Sequence, residues 1–249
     1  MVVPSFIDFT VILVIFGMMP ILELPKTSEV SDVAQAKGYE MSVSPFEELL
    51  DYRRSVAEMY GRLRCSNSSQ VEQYQSFRRE RDRLFATHPQ SPLSREQRAE
   101  FTGLRYYAYD PAWRFILPVD RDVEPTTIEM ELQDDGPVRM QRFGQIHFEA
   151  EGQPVSLSLY WILGYGGGVF LPFRDLTNQH TTYGGGRYLL DTIKHVDLGQ
   201  ADSRLVIDFN YAYNPSCAYN PRWHCPLAPQ ENRLSVAIAA GEQRYPGYR

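Results

Sequence analysis

Apolar residues fall at every second position through the middle of this chain. Ile146, Phe148 and Ala150 alternate with polar neighbours, and Glu151-Gly152 supplies a turn. Val155, Leu157, Leu159 and Trp161 then alternate on the return. This pattern predicts a long hairpin. Upstream, "IEMEL" alternates before the turn signal Asp134-Asp135-Gly136. Downstream, short apolar runs predict strands at Val169–Phe173, Arg187–Leu190, Leu205–Phe209 and Leu234–Ile238.

Before Leu104 the period is helical. Ser44-Pro45-Phe46-Glu47 combines a capping residue, a proline suited to the first helical position and a glutamate that completes a capping box. The helix should run to about Leu63, where "CSNSS" breaks it. A second helix over Val71–Ala86 places Tyr74, Phe77, Arg81 and Leu84 on one stripe. Ser94-x-x-Gln97 opens a third, short helix ending near Gly103. The arginines between the apolar positions read as a solvated face. Together these elements predict a mainly β, overall α+β protein. Residues 104–249 would form an antiparallel curled sheet, a barrel or a two-layer sandwich. The helical preface, residues 41–103, would pack on one side or one end.

Residues 1–40 stand apart. Phe9 to Leu22 is nearly all apolar, but fourteen helical residues reach only about 21 Å, short of a hydrocarbon core of about 30 Å. Pro20 falls inside the run, and no Lys or Arg precedes Lys26, unlike a secretory leader. Three readings stay open: an extension that takes no part in the fold, an export signal or tether, and a core helix. A cytoplasmic location is expected, with export or membrane tethering through residues 9–22 as the alternative. Oligomeric state is not legible.

Hydrophobic residues make up 43 % of the 249 and charged residues 22 %, which suits a packed core. The 16 Tyr and 13 Phe favour strands and aromatic pockets. A net charge of −6 argues against a general nucleic-acid binder, which needs a basic footprint. Three cysteines, Cys65, Cys217 and Cys225, are too few for a disulfide scaffold.

Candidate chemistry gathers after Tyr165. Tyr-Gly-Gly-Gly occurs at Tyr165–Gly168 and again at Tyr183–Gly186. Glycines beside strands mark bulges and close backbone approach; the same property lets a ligand reach backbone N–H groups, with Arg174 and Arg187 supplying charge. In a strand Asp208 and Asn210 share a face, and Asp208 is expected to approach Arg187, as a structural bridge or as part of a pocket. Cys217 and Cys225 flank a turn-rich loop and are expected to be spatial neighbours, as a disulfide or as free thiols. Zinc on Cys217, His224 and Cys225 lacks a standard spacing and a fourth ligand, so no metal and no cofactor are expected. His147, alternating within a strand, reads as a satisfied polar residue.

"FTGLRYYAYDPAWRF", "FRDLTNQHTTYGGGRYLLD" and "LVIDFNYAYNPSCAYNPRWHCPLAPQENRLSVAIAAGE" resemble the motifs of the bacterial and archaeal domain-of-unknown-function family 1684. The resemblance covers roughly residues 75–245. Its pattern falls here on Tyr183, Gly184, Gly186, Arg187, Asp208, Phe209, Asn210, Tyr213, Asn214, Pro215, Cys217, Cys225, Pro226, Glu231, Asn232 and Glu242. It implies the placement of a site and no established activity.

The leading expectation is a β domain that binds a small polar or anionic ligand. Its walls would be Tyr183, Arg187, Asp208, Asn210, Tyr213 and Asn214, with Arg174, Glu231 and Asn232 as further candidates. The alternatives are a hydrolase- or isomerase-type enzyme using Asp208 or Glu231, and a protein-interaction module.

Overall fold

The computed structural model describes residues 43–133 and 136–247. The predicted extension 1–40 with its apolar run, and the Asp134-Asp135 pair, lie outside them. Among the described residues no helix is long and apolar enough to cross a membrane.

Both predicted capping boxes form, and a third, at Ser69, joins them. Ser44 accepts from the Glu47 amide while the Glu47 carboxylate accepts from the Ser44 amide, opening α1 (Pro45–Cys65). Ser69 and Glu72 do the same for α2 (Gln70–Thr87), and Ser94 and Gln97 for α3 (Arg95–Ala99). Each such cap contributes about 1 kcal/mol. The third helix stops at Ala99, four residues short of the expected end. On α2 the stripe is buried as expected: Tyr74, Phe77, Arg81 and Leu84 all face inward.

The strands form two antiparallel sheets. Five pair in chain order: β2 (Thr127–Glu131), β3 (Pro137–Ala150), β4 (Gln153–Ile162), β5 (Gly168–Phe173) and β6 (Arg187–Asp191). The other three are β1 (Arg114–Leu117), β7 (Gln200–Ala201) and β8 (Arg204–Asp208), in the order β1-β8-β7. In the predicted hairpin Ile146 faces Leu157 and Phe148 faces Val155. Its turn residues Glu151 and Gly152 are both left-handed, at φ 51° and 73°, as a tight two-residue hairpin requires. The end strands β2 and β6 do not pair with each other, so the sheet does not close into a barrel.

Alternation gives the long sheet two apolar faces. Ile146, Leu157, Leu159, Leu171 and Phe173 join Ile207, Phe209 and the segment 234–240 in one core. Met140, Tyr160, Phe170 and Tyr188 point the other way, against Met59 and Tyr60 of α1 and Tyr74 and Phe77 of α2. The helices therefore cover one side of the sheet.

The predicted strand Leu234–Ile238 does not form. Its period of two is real: Leu234, Val236, Ile238 and Ala240 are buried, and the segment meets the chain after β5. Leu234 N donates to Arg174 O at 2.8 Å and Leu176 N to Val236 O at 3.0 Å. Its later carbonyls, however, receive a side chain in place of a neighbouring strand. The Arg187 guanidinium donates to Ile238 O at 3.0 Å and to Ala240 O.

Candidate functional site

The doubled glycines are strand entries. Gly168 opens β5, where a Cβ would stand 2.7 Å from Thr192 Oγ1 and from Ile193 Cγ1. Gly186 precedes β6 at φ +95°, and a Cβ there would run into the Phe173 carbonyl. Between them, the Thr177-Asn178 turn is tied by Asn178 Nδ2 donating to Thr182 Oγ1 at 3.0 Å and to Tyr183 O at 2.9 Å. In each run, the glycine that opens the strand is thus required by close packing.

The constellation expected around Arg187 and Asp208 separates into independent structural ties. Arg187 is fully buried and pairs with Asp175, Nη2 to Oδ2 2.9 Å, rather than with Asp208. Asp175 Oδ1 also accepts from Thr177 N at 2.8 Å and Ile238 N at 3.2 Å. Asp208 has Arg114 beside it at 3.8 Å. The strand ends at Asp208, whose Oδ1 caps a 3-10 turn by accepting from Asn210 N at 3.0 Å and Asn210 Nδ2 at 2.8 Å. Asp208 and Asn210 therefore do not share a strand face. Burial raises the Asp208 carboxyl to about 6, against the hydrogen bonds from Asn210 and the charge of Arg114.

Asn232 is a buried clamp: it accepts from Ser158 N at 2.8 Å and donates to Ser158 O at 2.9 Å and Pro172 O at 2.8 Å. Glu231 beside it is exposed, and Arg174, half-buried, meets Asn232 O through its amide. His147 reaches Asp120 at 3.2 Å on the surface.

A cavity of about 400 Å³ lies elsewhere, between α1, α2 and the chain from Tyr213 to Cys225. Of the nine predicted ligand residues, Tyr213 and Asn214 line it. Leu49, Tyr52, Arg53 and Val56 line it from α1, and Tyr188 from β6; Lys194 and His224 also contribute. Arg53 and Lys194 are exposed, which puts them at the mouth, and Lys194 meets Asp191 at 3.0 Å. Asn214 Oδ1 and the Tyr213 hydroxyl are buried without a hydrogen-bond partner.

One wall is a buried ion pair. Arg81 Nη2 lies 2.9 Å from Glu242 Oε2, and Tyr219 donates its hydroxyl proton to Glu242. The Asn214 amide adds a bond to the same Oε2 at 3.1 Å. The Arg81 guanidinium sits 5.0 Å over the Tyr213 ring. Its charge is met by Glu242 and that of Lys194 by Asp191, which leaves Arg53 as the lining cation without an ion pair among the described residues. The face 49, 52, 53, 56 follows the i, i+3, i+4, i+7 spacing of a helix stripe, a signal present in the sequence. The solvated-face reading of the arginines hid it; Arg81 stood on the inward stripe of α2, but without its partner.

Cys225 lines the same cavity, while Cys217 does not. The two are free thiols whose side chains interact. For Cys225 that interaction outweighs burial, with help from the backbone of Cys217, the charge of Lys194 and the backbone of Ser216. Together they hold the Cys225 thiol well below its ordinary range and push Cys217 up. Among the described residues no group of three His, Cys, Asp or Glu side chains converges as metal ligands would.

Residues 99–243 match the family described as "Protein of unknown function (DUF1684)". The chain is also similar to a protein known from a solution NMR structure, the uncharacterised product of gene locus rrnAC0354 of Haloarcula marismortui. The two are 35 % identical, the match covers 69 % of this chain and 92 % of that one, and the TM-score is 0.49. No curated protein matches the chain.

Proposed function

Because this chain belongs to the DUF1684 family, whose description names no activity, we propose its function from geometry alone: it binds a small anionic molecule with an apolar body. The site is the cavity lined by Tyr213 and Asn214. The observation that carries this reading is the cavity's combination of size, wall and mouth. Its volume of about 400 Å³ falls within the range of about 300–1,000 Å³ that small-molecule sites occupy. Leu49, Val56, Phe85 and Tyr188 supply an apolar and aromatic wall, and Arg53 and Lys194 stand at the entrance. Arg53 has no ion pair among the described residues. Tyr213 and Asn214 line the cavity too, and the Tyr213 hydroxyl and Asn214 Oδ1 are buried without a hydrogen-bond partner.

The test is mass spectrometry of small molecules retained by purified protein, followed by calorimetric titration with a panel of aryl and alkyl carboxylates. Val56→Trp, which fills the cavity, is expected to abolish binding. Arg53→Gln should weaken it by about threefold to fivefold, the scale of one exposed charge pair. Binding that survives Val56→Trp unchanged would overturn the reading, as would a panel that yields no binder from a protein that retains none.

A further inference from the structure

The loop between Tyr213 and Pro226 holds two sulfurs whose arrangement goes beyond ligand binding. Cys225 faces the cavity and Cys217 stands behind it. The two thiol side chains interact, and the Tyr183 hydroxyl lies 3.6 Å from Cys217 Sγ. The loop is held in place without a covalent tie. Trp223 Nε1 donates to Pro92 O at 3.1 Å, Gln97 Nε2 to Tyr219 O at 2.7 Å, and the Tyr188 hydroxyl to the Pro226 carbonyl. The loop is therefore ordered by hydrogen bonds, unlike one that a structural disulfide must close.

We propose that Cys225 and Cys217 form a thiol–disulfide exchange site for a low-molecular-weight disulfide that enters the cavity. Cys225 is the attacking sulfur and Cys217 the resolving one. The proposal rests on the ligand-binding reading of that cavity and names the class of molecule. The Cys225 thiolate attacks one sulfur of the disulfide. A Cys225–S–S–R bond forms, the original S–S bond breaks, and one thiolate leaves. Cys217 then attacks the Cys225 sulfur, its proton passing to the second leaving group. The products are a Cys217–Cys225 disulfide and two low-molecular-weight thiol equivalents: the protein loses two electrons and the small disulfide gains them. Two equivalents of a small thiol reverse the sequence. Two features suit the attacking role to Cys225: it faces the cavity while Cys217 does not, and its neighbours Cys217 and Lys194 favour the thiolate. The Tyr183 hydroxyl is placed to support Cys217 when its turn comes.

The experiment uses the full chain carrying Cys65→Ser, which removes an exposed thiol of α1, and oxidised glutathione as the probe. Intact mass should fall by two hydrogens, with release of two glutathione equivalents. Adding Cys217→Ser should stop the reaction at a single glutathionyl adduct on Cys225. Adding Cys225→Ser should slow the reaction by at least about tenfold. Circular dichroism melts verify that each variant folds. If one does not, peptide mapping after limiting iodoacetamide on the Cys65→Ser chain makes the same assignment, with Cys225 labelled first. Equal labelling of both cysteines would overturn the proposal, as would a stable adduct that never closes. The concentration dependence separates the two readings. Saturating exchange that becomes linear in Val56→Trp supports both. Exchange that is linear throughout keeps the dithiol assignment and overturns the cavity as its ligand site. A carboxylate that binds a protein inert to glutathione disulfide does the reverse.

Discussion

Replacing Arg187 by Met tests whether the buried guanidinium holds the C-terminal segment in place. Arg187 is fully buried; it meets Asp175 Oδ2 at 2.9 Å, Ile238 O at 3.0 Å and the Ala240 carbonyl. Methionine fills much of the space but donates nothing, so a buried carboxylate oxygen and two carbonyls lose their partner. Breaking a buried pair from one side costs about 3–5 kcal/mol. Asp175 Oδ1 keeps Thr177 N and Ile238 N, so the expected value is in the middle of that range, about 4 kcal/mol. Domains of this kind have about 5–15 kcal/mol in total, so the variant should sit near its unfolding threshold. Arg187→Lys keeps the charge, but a single ammonium cannot span Asp175 and both carbonyls at once; about 2 kcal/mol should be lost. Urea unfolding followed by the fluorescence of Trp113, Trp161 and Trp223, with linear extrapolation, measures both. A Met variant within about 1 kcal/mol of the parent would refute the reasoning. So would a Lys variant as damaged as the Met variant, because the positive charge would then contribute nothing.

Asp208 should make stability depend on pH. Its folded value of about 6 lies above the unfolded value of about 3.9, so the folded state holds the proton more tightly. The resulting stability is full below about pH 4 and is lost as pH rises through 6, by about 3 kcal/mol in all. Urea midpoints should fall across that window in the parent and flatten in Asp208→Asn; equal slopes would show that Asp208 is not the group responsible. Gly186→Ala combines a left-handed φ of +95° with a collision at the Phe173 carbonyl and should cost about 2 kcal/mol or more, read as a lower thermal midpoint. Glu242→Gln leaves Arg81 without its counter-charge and should cost about 3 kcal/mol in the same urea assay; an unchanged midpoint would mean that Arg81 finds another acceptor.

Local signals carried much of this fold. The capping boxes at Ser44, Ser69 and Ser94 and the hairpin at Glu151-Gly152 are chemistry between residues a few positions apart, and such chemistry is written in the chain. The alternation of Leu234 to Ala240 correctly marked an extended segment. It failed as a strand because its carbonyls are taken by Arg187, about fifty positions away. The site was less legible for the same reason. Arg187 has Asp175 and Asp208 as acidic candidates, and nothing local chooses between them. Arg81 on an apolar stripe was itself a sign of a buried pair, yet its partner Glu242 lies 161 residues on. The cavity needs α1, α2 and the Cys225 loop together, so beyond Tyr213 and Asn214 only its helical face at 49, 52, 53 and 56 could have been read in advance.

The acceptors for both buried arginines sit late in the chain. Ile238 O, Ala240 O and the Glu242 carboxylate serve Arg187 and Arg81, and Glu242 also takes the Tyr219 hydroxyl and the Asn214 amide. Synthesis runs from the N-terminus at about 5–20 residues per second, so every group that needs these acceptors leaves the ribosome before they do. Helices α1 and α2 and the β3–β4 hairpin can form on a nascent chain. The two guanidinium groups cannot be buried until the segment 232–243 has emerged to receive them. A chain cut short by premature termination or proteolysis ahead of Glu242 would carry cations where the core must be dry, and would stay open to degradation. The placement of these few oxygens means that the core closes over Arg81 and Arg187 only once residues 238–242 are in place.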